Sequence, residues 1–131
     1  MKIKTAVYLA NAYSSQFKDP DCAKMQCANR RNLEAFVGGK LRKMYPDHCF
    51  LLPIANSAAM ADLCTFGTGF DEWETDDYTF INKFDEVWVL MSDGWKESKG
   101  VQAEIKYAES IGHPVKYITW PGLQIVLNNE G

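Results

Sequence analysis

Apolar, β-branched segments alternate with longer segments of helical periodicity along this 131-residue chain, and this alternation constrains the fold more than any other feature. Strands are predicted at Ile3–Ala10, Cys49–Pro53, Asp85–Met91 and Val115–Thr119, with a last one at Leu123–Leu127. Helices are predicted from about Asp21 to Met44, over Asp71–Phe84 and over Gly100–Ile111, with a loop leading into a short helix at Asn56–Cys64. Strands that alternate with helices pair in parallel through right-handed crossovers. We therefore predict a single-domain, doubly wound α/β fold, Rossmann-like or flavodoxin-like, in which helices flank a mostly parallel sheet of about four or five strands.

One edge of that sheet is the expected place for a ligand, because doubly wound folds bind ligands at the carboxyl ends of their strands. Here those ends lead into the loops after Ala10, after Pro53 and after Met91. The run Gly67-Thr68-Gly69 is a further break, which separates the short helix from the next one. In the first helix, apolar residues spaced by three and four define the face expected to pack on the sheet: Leu33, Phe36, Val37, Leu41 and Met44.

Two carboxylates fall on the apolar faces of their predicted helices. At about 100° per residue, Glu104 lies between Ala108 and Ile111, and Asp77 lies between Ile81 and Phe84. Burial of a charged carboxylate is costly unless the group is paired or protonated. Either acid alone is also explained by a position at the edge of its face, where it reaches solvent or a lysine. Together, on helices that flank one strand, they favour a pair of catalytic groups with different pKa values.

The loop before the third predicted helix holds further candidates for substrate binding. Ser98 stands at the N-cap, and Gly100 permits close approach to the backbone N–H groups that bind anions at a helix N-terminus. Ser98 is equally well explained as a cap alone. Trp95 either stacks on a base or anchors the surface. Asp93 and Gly94 belong to the same loop and are candidates for substrate contacts.

The first loop supplies three more candidates. Ala10 and Asn11 stand at the end of the first strand and are expected to contact substrate. Tyr13 either donates a hydrogen bond to a catalytic carboxylate or simply packs.

Composition excludes several classes of partner. The net charge is −3 and the basic residues are dispersed, so no nucleic-acid partner is expected. No apolar run is long enough for a membrane span or a signal peptide. The four cysteines have no C-x-x-C spacing and the two histidines no ligand spacing, which predicts a cytoplasmic protein with free thiols, no metal and no cofactor. A Mg²⁺ site on the paired acids would lack an evident third oxygen ligand.

Three segments of the chain resemble one known family. The run FDEVWVLMSDGWKESKGVQAEIKYAESIGHPVKYI, together with VYLANAY and LPIANS, is similar to the nucleoside 2-deoxyribosyltransferase-like superfamily. The pattern DGW-x-x-S-x-G-V-x-x-E resembles a branch found in phage and bacterial genomes. The resemblance implies a nucleophilic glutamate six residues after a serine that binds the 5′ end of the substrate, and Ser98 and Glu104 have this spacing. It also implies a second catalytic acid eight residues before the aspartate of the central strand, which fits Asp77 and Asp85.

The resemblance implies cleavage or transfer at the N-glycosidic bond of a nucleoside or nucleotide, by a deoxyribosyltransferase or a nucleotide N-glycosidase. In the first loop, Asn11, Ala12 and Tyr13 replace the Ser- and Gly-rich segment that holds phosphate in the monophosphate glycosidases, which argues against a monophosphate in particular. The superfamily also implies a homodimer or larger homo-oligomer. The alternative is a protein, in some cases phage-encoded, that captures a nucleotide or NAD-derived signal without turnover. Turnover of a nucleotide distinguishes the two.

Overall fold

The computed structural model describes residues 1–67 and 70–127, in which at least one helix separates each of the first four strands from the next. The strands are β1 (Thr5–Ala10), β2 (His48–Leu51), β3 (Glu86–Leu90), β4 (Val115–Ile118) and β5 (Ile125–Val126). The helices are α1 (Pro20–Met44), α2 (Pro53–Cys64), α3 (Phe70–Lys83) and α4 (Lys99–Ser110). Of the predicted break at Gly67-Thr68-Gly69, Gly67 follows the end of α2, whereas residues 68 and 69 lie outside the described ranges.

The strands form one five-stranded sheet in the order β2-β1-β3-β4-β5. The first four pair in parallel, and β5 pairs antiparallel to β4. Asp85 fixes the start of the central pair, because its carboxylate accepts a hydrogen bond from Ala6 N at 2.8 Å. The predicted mixed α/β fold with a mostly parallel sheet is confirmed.

The core lies on both faces of the sheet, as period-two alternation along buried strands requires. On one face, Tyr8 and Ala10 of β1 pack with α4 residues such as Ile105. On the other, Val7 and Leu9 pack with Val37 of α1 and its neighbours. Tyr8 therefore points toward the same side of the sheet that α4 covers. None of the helices in the described ranges is long and apolar enough to cross a membrane.

Several boundaries differ from the predicted ones. Pro53 begins α2 instead of ending β2, because its fixed φ suits the first turn of a helix. The predicted loop from Asn56 is consequently helical. Strand β5 is limited to two residues. The segment that follows β2 is thus the N-terminus of a helix rather than an irregular loop.

The buried face of α1 is also rotated from the predicted one. Phe36 is 53% exposed and Met44 is 48% exposed, whereas Glu34 is fully buried. Gly38 explains part of this rotation, since a Cβ there would lie 2.6 Å from a methyl carbon of Leu52. Close packing of α1 on the segment before α2 selects the face that contains Gly38 and Glu34.

Candidate active site

A cavity of about 260 Å³ opens beside the carboxyl end of β1. Residues from β1, the β1–α1 loop and the first turn of α2 form part of its wall, and α3 and the N-terminal half of α4 form the rest. Its polar lining includes Tyr8, Asn11, Asp77, Ser98 and Glu104. Two predicted acids and four of the predicted loop candidates (Asn11, Tyr13, Ser98 and Gly100) therefore meet at one cavity.

Glu104 lies at the base of this site and is only 5% exposed. Its neighbours Val101, Ile105 and Ala108 pack on the sheet, so the carboxylate projects from the buried face of α4. Tyr8, which is fully buried in β1, donates a hydrogen bond from its hydroxyl to Glu104 Oε2 at 2.5 Å. Sequence alternation in β1 and helical phase in α4 together bring these two side chains into contact.

Asp77 extends from α3 into the same cavity and is half-buried. Burial raises the pKa of Asp77 to about 6, against hydrogen bonding to Glu104 and Tyr8 that lowers it. Burial, followed by the charge of Asp77, raises the pKa of Glu104 well above its usual range, and the Tyr8 hydrogen bond opposes this rise. The two carboxyls therefore titrate as an interacting pair, and burial favours the state in which at least one of them is protonated.

Ser98 is the N-cap of α4, and its hydroxyl accepts a hydrogen bond from Val101 N at 3.2 Å. Ser98 also lines the cavity, so the residue that caps α4 is accessible to a ligand bound there. Gly100 lies under Phe70, where an added Cβ would stand 3.2 Å from the ring. At the exposed rim, Lys99 Nζ lies 3.1 Å from Asp71 Oδ1.

The two polar candidates of the first loop line the cavity in different ways. Asn11 is 8% exposed, and its amide accepts from Ser92 Oγ at 2.9 Å and donates to Arg30 O at 3.2 Å. Asn11 thus joins the ends of β1 and β3 to α1. Tyr13 is half-buried in the cavity wall. The hydroxyl that donates a hydrogen bond to the Glu104 carboxylate belongs to Tyr8.

The other candidates lie away from this cavity. Ala10 is fully buried in the core beneath it. Trp95 is 8% exposed, packs with its ring centroid 5.8 Å from that of Tyr117, and does not line this cavity. The turn in which Trp95 N donates to Ser92 O directs the indole inward. Gly94 lines an adjoining cavity of about 340 Å³, and the backbone carbonyl of Asp93 contacts Arg30.

Sequence reasoning missed Tyr8 and Glu34. A tyrosine inside the apolar strand VYLA is a signal, because a buried hydroxyl needs a hydrogen-bond partner. Glu34 shares the helical phase of Val37 and Leu41, but the exposed Phe36 obscured the true buried face. Phe70 and Trp73 of α3, which also line the cavity, were not singled out as site residues. Among the described residues, no group of three or more His, Cys, Asp or Glu side chains is placed to hold a metal ion.

Fold and site together define the class of this protein as a doubly wound α/β protein whose cavity contains a coupled pair of carboxyls. Comparison with protein families gives one match, to the family described as Domain of unknown function (DUF4406), over residues 54–117. The matched segment runs from the first turn of α2 into β4 and includes Asp77, Ser98 and Glu104. No curated protein matches the chain.

Proposed function

We propose that this protein cleaves the N-glycosidic bond of a nucleoside or nucleotide, or transfers its sugar, through a glycosyl ester on Glu104. The observation that carries the proposal is the contact of Glu104 with Tyr8 beside Asp77 in one cavity. The resemblance to nucleoside 2-deoxyribosyltransferase-like proteins supports the same chemistry and the same two acids. The expected ligand is a small nucleoside or nucleotide, and the protein is expected to act in the cytoplasm.

The proposed reaction has two displacements at C1′ of the sugar. The Glu104 carboxylate attacks C1′ while the C1′–N bond breaks, and the bond's electron pair leaves with the base. Asp77 gives its proton to that nitrogen base or stabilises the base's edge. Water, or the nitrogen of a second base, then attacks C1′ of the ester and releases Glu104. Asp77 accepts the proton of the incoming nucleophile, so both carboxyls return to their starting states.

The position of the proton on this pair of acids is part of this proposal. Burial raises the pKa of both Glu104 and Asp77, which favours a protonated carboxyl in the site. Attack requires that Glu104 is ionised and that Asp77 holds the proton. The Tyr8 hydrogen bond favours ionised Glu104, and positive charge that develops on the sugar favours it further. We infer that substrate binding favours the state in which Asp77 holds the proton.

The remaining site residues would orient the substrate. Ser98 and the N–H groups of the first turn of α4 would contact the 5′ end of the sugar. Asn11 and Tyr13 would contact the opposite side of the same cavity. We also propose that the protein is a homodimer in which the partner chain borders the cavity.

Base release from a panel of nucleosides and nucleotides tests the proposal directly. The purified protein is incubated with ribo- and deoxyribo- forms of each base, with and without a 5′-phosphate, and free base is measured by chromatography. Glu104→Ala is the control for contaminating activity. A mass increase of one glycosyl group on the peptide that contains Glu104 would identify the intermediate. Tight binding with no base release from any substrate would instead favour the signal-capturing alternative.

A further inference from the structure

Helix α1 carries two charged side chains, one turn apart, that bind backbone groups of the cavity walls. Arg30 and Glu34 stand four positions apart on α1, a spacing at which opposite charges commonly pair. The ion pairs found within residues 1–67 and 70–127 are Lys99–Asp71 and Lys116–Glu86, so Arg30 and Glu34 do not pair with each other. Glu34 is directed to the N-terminus of α2, and Arg30 is directed to the loops after β1 and β3.

Glu34 supplies the cap that α2 lacks. The N-cap position of α2 is Leu52, which has no side-chain acceptor, and the first-turn N–H groups of a helix need partners. The fully buried Glu34 accepts from Ile54 N at 3.1 Å and from Ala55 N at 3.3 Å, one on each oxygen. Burial raises the pKa of Glu34 to about 8, against these two N–H donors. Ile54 lines the cavity, so this carboxyl fixes the wall that follows β2.

Arg30 holds the other two loops. Its Nη1 donates to Ser14 O at 2.7 Å, in the loop after β1, and its Nη2 reaches Asp93 O at 3.4 Å, in the loop after β3. Gly94 accommodates the guanidinium, since an added Cβ would lie 2.9 Å from Nη2. The planar guanidinium can bridge two loops in this way, whereas a lysine ammonium presents a single point of contact.

We propose that Arg30 and Glu34 are positioning residues through which α1 holds three segments in register around the cavity. These segments are the loop after β1, the loop after β3 and the N-terminus of α2. Neither side chain is assigned contact with the reacting atoms. Arg30 fixes the distance between the loop after β1 and the loop after β3. Glu34 fixes the position of the α2 N-terminus relative to these loops. The kinetic part of this inference rests on the proposed function, but the structural part does not.

Amide hydrogen exchange of the unliganded protein tests the structural part. Glu34→Gln leaves one acceptor and Glu34→Met leaves none. The Ile54 and Ala55 amides should therefore exchange faster than in the parent in Glu34→Gln and faster still in Glu34→Met, by about tenfold or more in the latter. Arg30→Gln should instead accelerate exchange in the loops at Ser14 and Asp93. Asp21→Asn and Arg42→Gln are exposed charge controls on α1 and should change neither region. If Glu34→Met fails to fold, the comparison of Glu34→Gln with the parent decides.

Steady-state kinetics test the second part on whichever substrate the parent cleaves. Misplaced walls should raise KM about tenfold while kcat changes less than about threefold. The inference is overturned if exchange at Ile54 and Ala55 is unchanged in the Glu34 variants, or if both loops stay protected in Arg30→Gln. Altered exchange with an unaltered KM would limit both residues to a role in folding. If the parent protein cleaves nothing, the proposed function fails, while the exchange experiment still decides the structural role.

Discussion

At the scale of single residues, the candidate site depends on one hydroxyl and two carboxyls. Tyr8 hydrogen-bonds to Glu104, and Asp77 is coupled to both. Burial is the main cause of the raised pKa of both Asp77 and Glu104, because a buried carboxyl is poorly solvated when charged. Because each group has a different proposed role, substitution of each should have a different effect.

Replacement of Glu104 should abolish base release and preserve the fold. Glu104→Gln keeps the shape of the side chain and its contact with Tyr8, but an amide cannot form the glycosyl ester. Glu104→Ala removes the nucleophile altogether. Turnover and circular dichroism are measured on the same preparations. Wild-type turnover in either variant would disprove the nucleophilic role.

Asp77 should matter more to chemistry than to stability. Asp77→Asn or Asp77→Leu should lower turnover by roughly 10²–10⁴-fold, the usual contribution of a general acid. The pKa of Asp77 is raised from 3.8 to about 6, so the folded state favours the protonated acid and loses stability as the pH rises through this interval. Asn cannot ionise, and Asp77→Asn should therefore match or exceed the parent melting temperature above about pH 6.

Thermal melts at pH 7.5 and near pH 3 measure the stability part of this prediction, since any advantage of Asp77→Asn should disappear as the pH falls below 3.8 and Asp77 becomes protonated in both states. The activity loss should be smaller for substrates whose base leaves without protonation. A variant that melts well below the parent and keeps full activity per folded molecule would make Asp77 a structural partner only.

Tyr8→Phe should shift the pH dependence of the reaction. The Tyr8 hydrogen bond lowers the pKa of Glu104, so its loss raises that pKa further and leaves less ionised nucleophile at a given pH. The rising limb of kcat/KM against pH should move to higher pH, with a lower rate at neutral pH. A full pH profile of both proteins measures this shift. An unshifted limb would mean that Tyr8 only packs.

At the scale of elements, the N-termini of α2 and α4 face the same cavity but are capped differently. Helix α4 is capped by its own Ser98, and α2 by Glu34 from another helix. A local cap is visible in sequence, while a cap supplied from 20 residues away is not. Since Ser98 both caps α4 and lines the cavity, substitutions at this residue can separate its effect on stability from its effect on substrate binding.

Ser98→Ala should lower the free energy of unfolding by about 0.5–2 kcal/mol, because the Val101 N–H loses its acceptor. Ser98→Asp is the matched variant, since aspartate is an equally good cap and its charge suits a helix N-terminus. If Ser98 also contacts substrate, stability should return in Ser98→Asp while KM for a 5′-phosphorylated substrate stays raised. Chemical denaturation and kinetics measure the two effects. Full recovery of both would reduce Ser98 to a cap.

At the scale of the whole molecule, the surface that remains apolar bears on assembly. Trp88 is 1% exposed and Trp95 is 8% exposed, so neither adds to the exposed apolar surface. Leu63 and Phe66, at and beyond the end of α2, are instead 84% and 50% exposed. Exposed apolar groups of this kind favour association.

We expect a homodimer in solution, with a partner chain that borders the cavity. Multi-angle light scattering over a range of concentrations should give about twice the chain mass of 14.9 kDa. Leu63→Glu should shift the equilibrium toward monomer, whereas Met25→Lys, which also replaces an exposed apolar residue with a charged one but lies on α1, should not. A mass of one chain at every concentration would rule the dimer out.

The sequence alone determined the order of strands and helices and the phase of α3 and α4. Strand alternation and helical periodicity are local properties, so Glu104 and Asp77 were identifiable from their immediate neighbours. Ser98 was identifiable as a cap for the same reason. Boundaries next to Pro53 were missed because proline suits both a strand end and the first turn of a helix.

The tertiary structure alone decided which side chains meet. Tyr8 and Glu104 are 96 positions apart, and their contact depends on which face of the sheet α4 covers. Glu34 became a cap for α2 because α1 packs through Gly38 rather than through Phe36. Trp95 turned into the core because the loop after β3 folds back on Tyr117. Each of these outcomes follows from long-range packing, in which the burial of one surface constrains every other, and no local pattern contains that information.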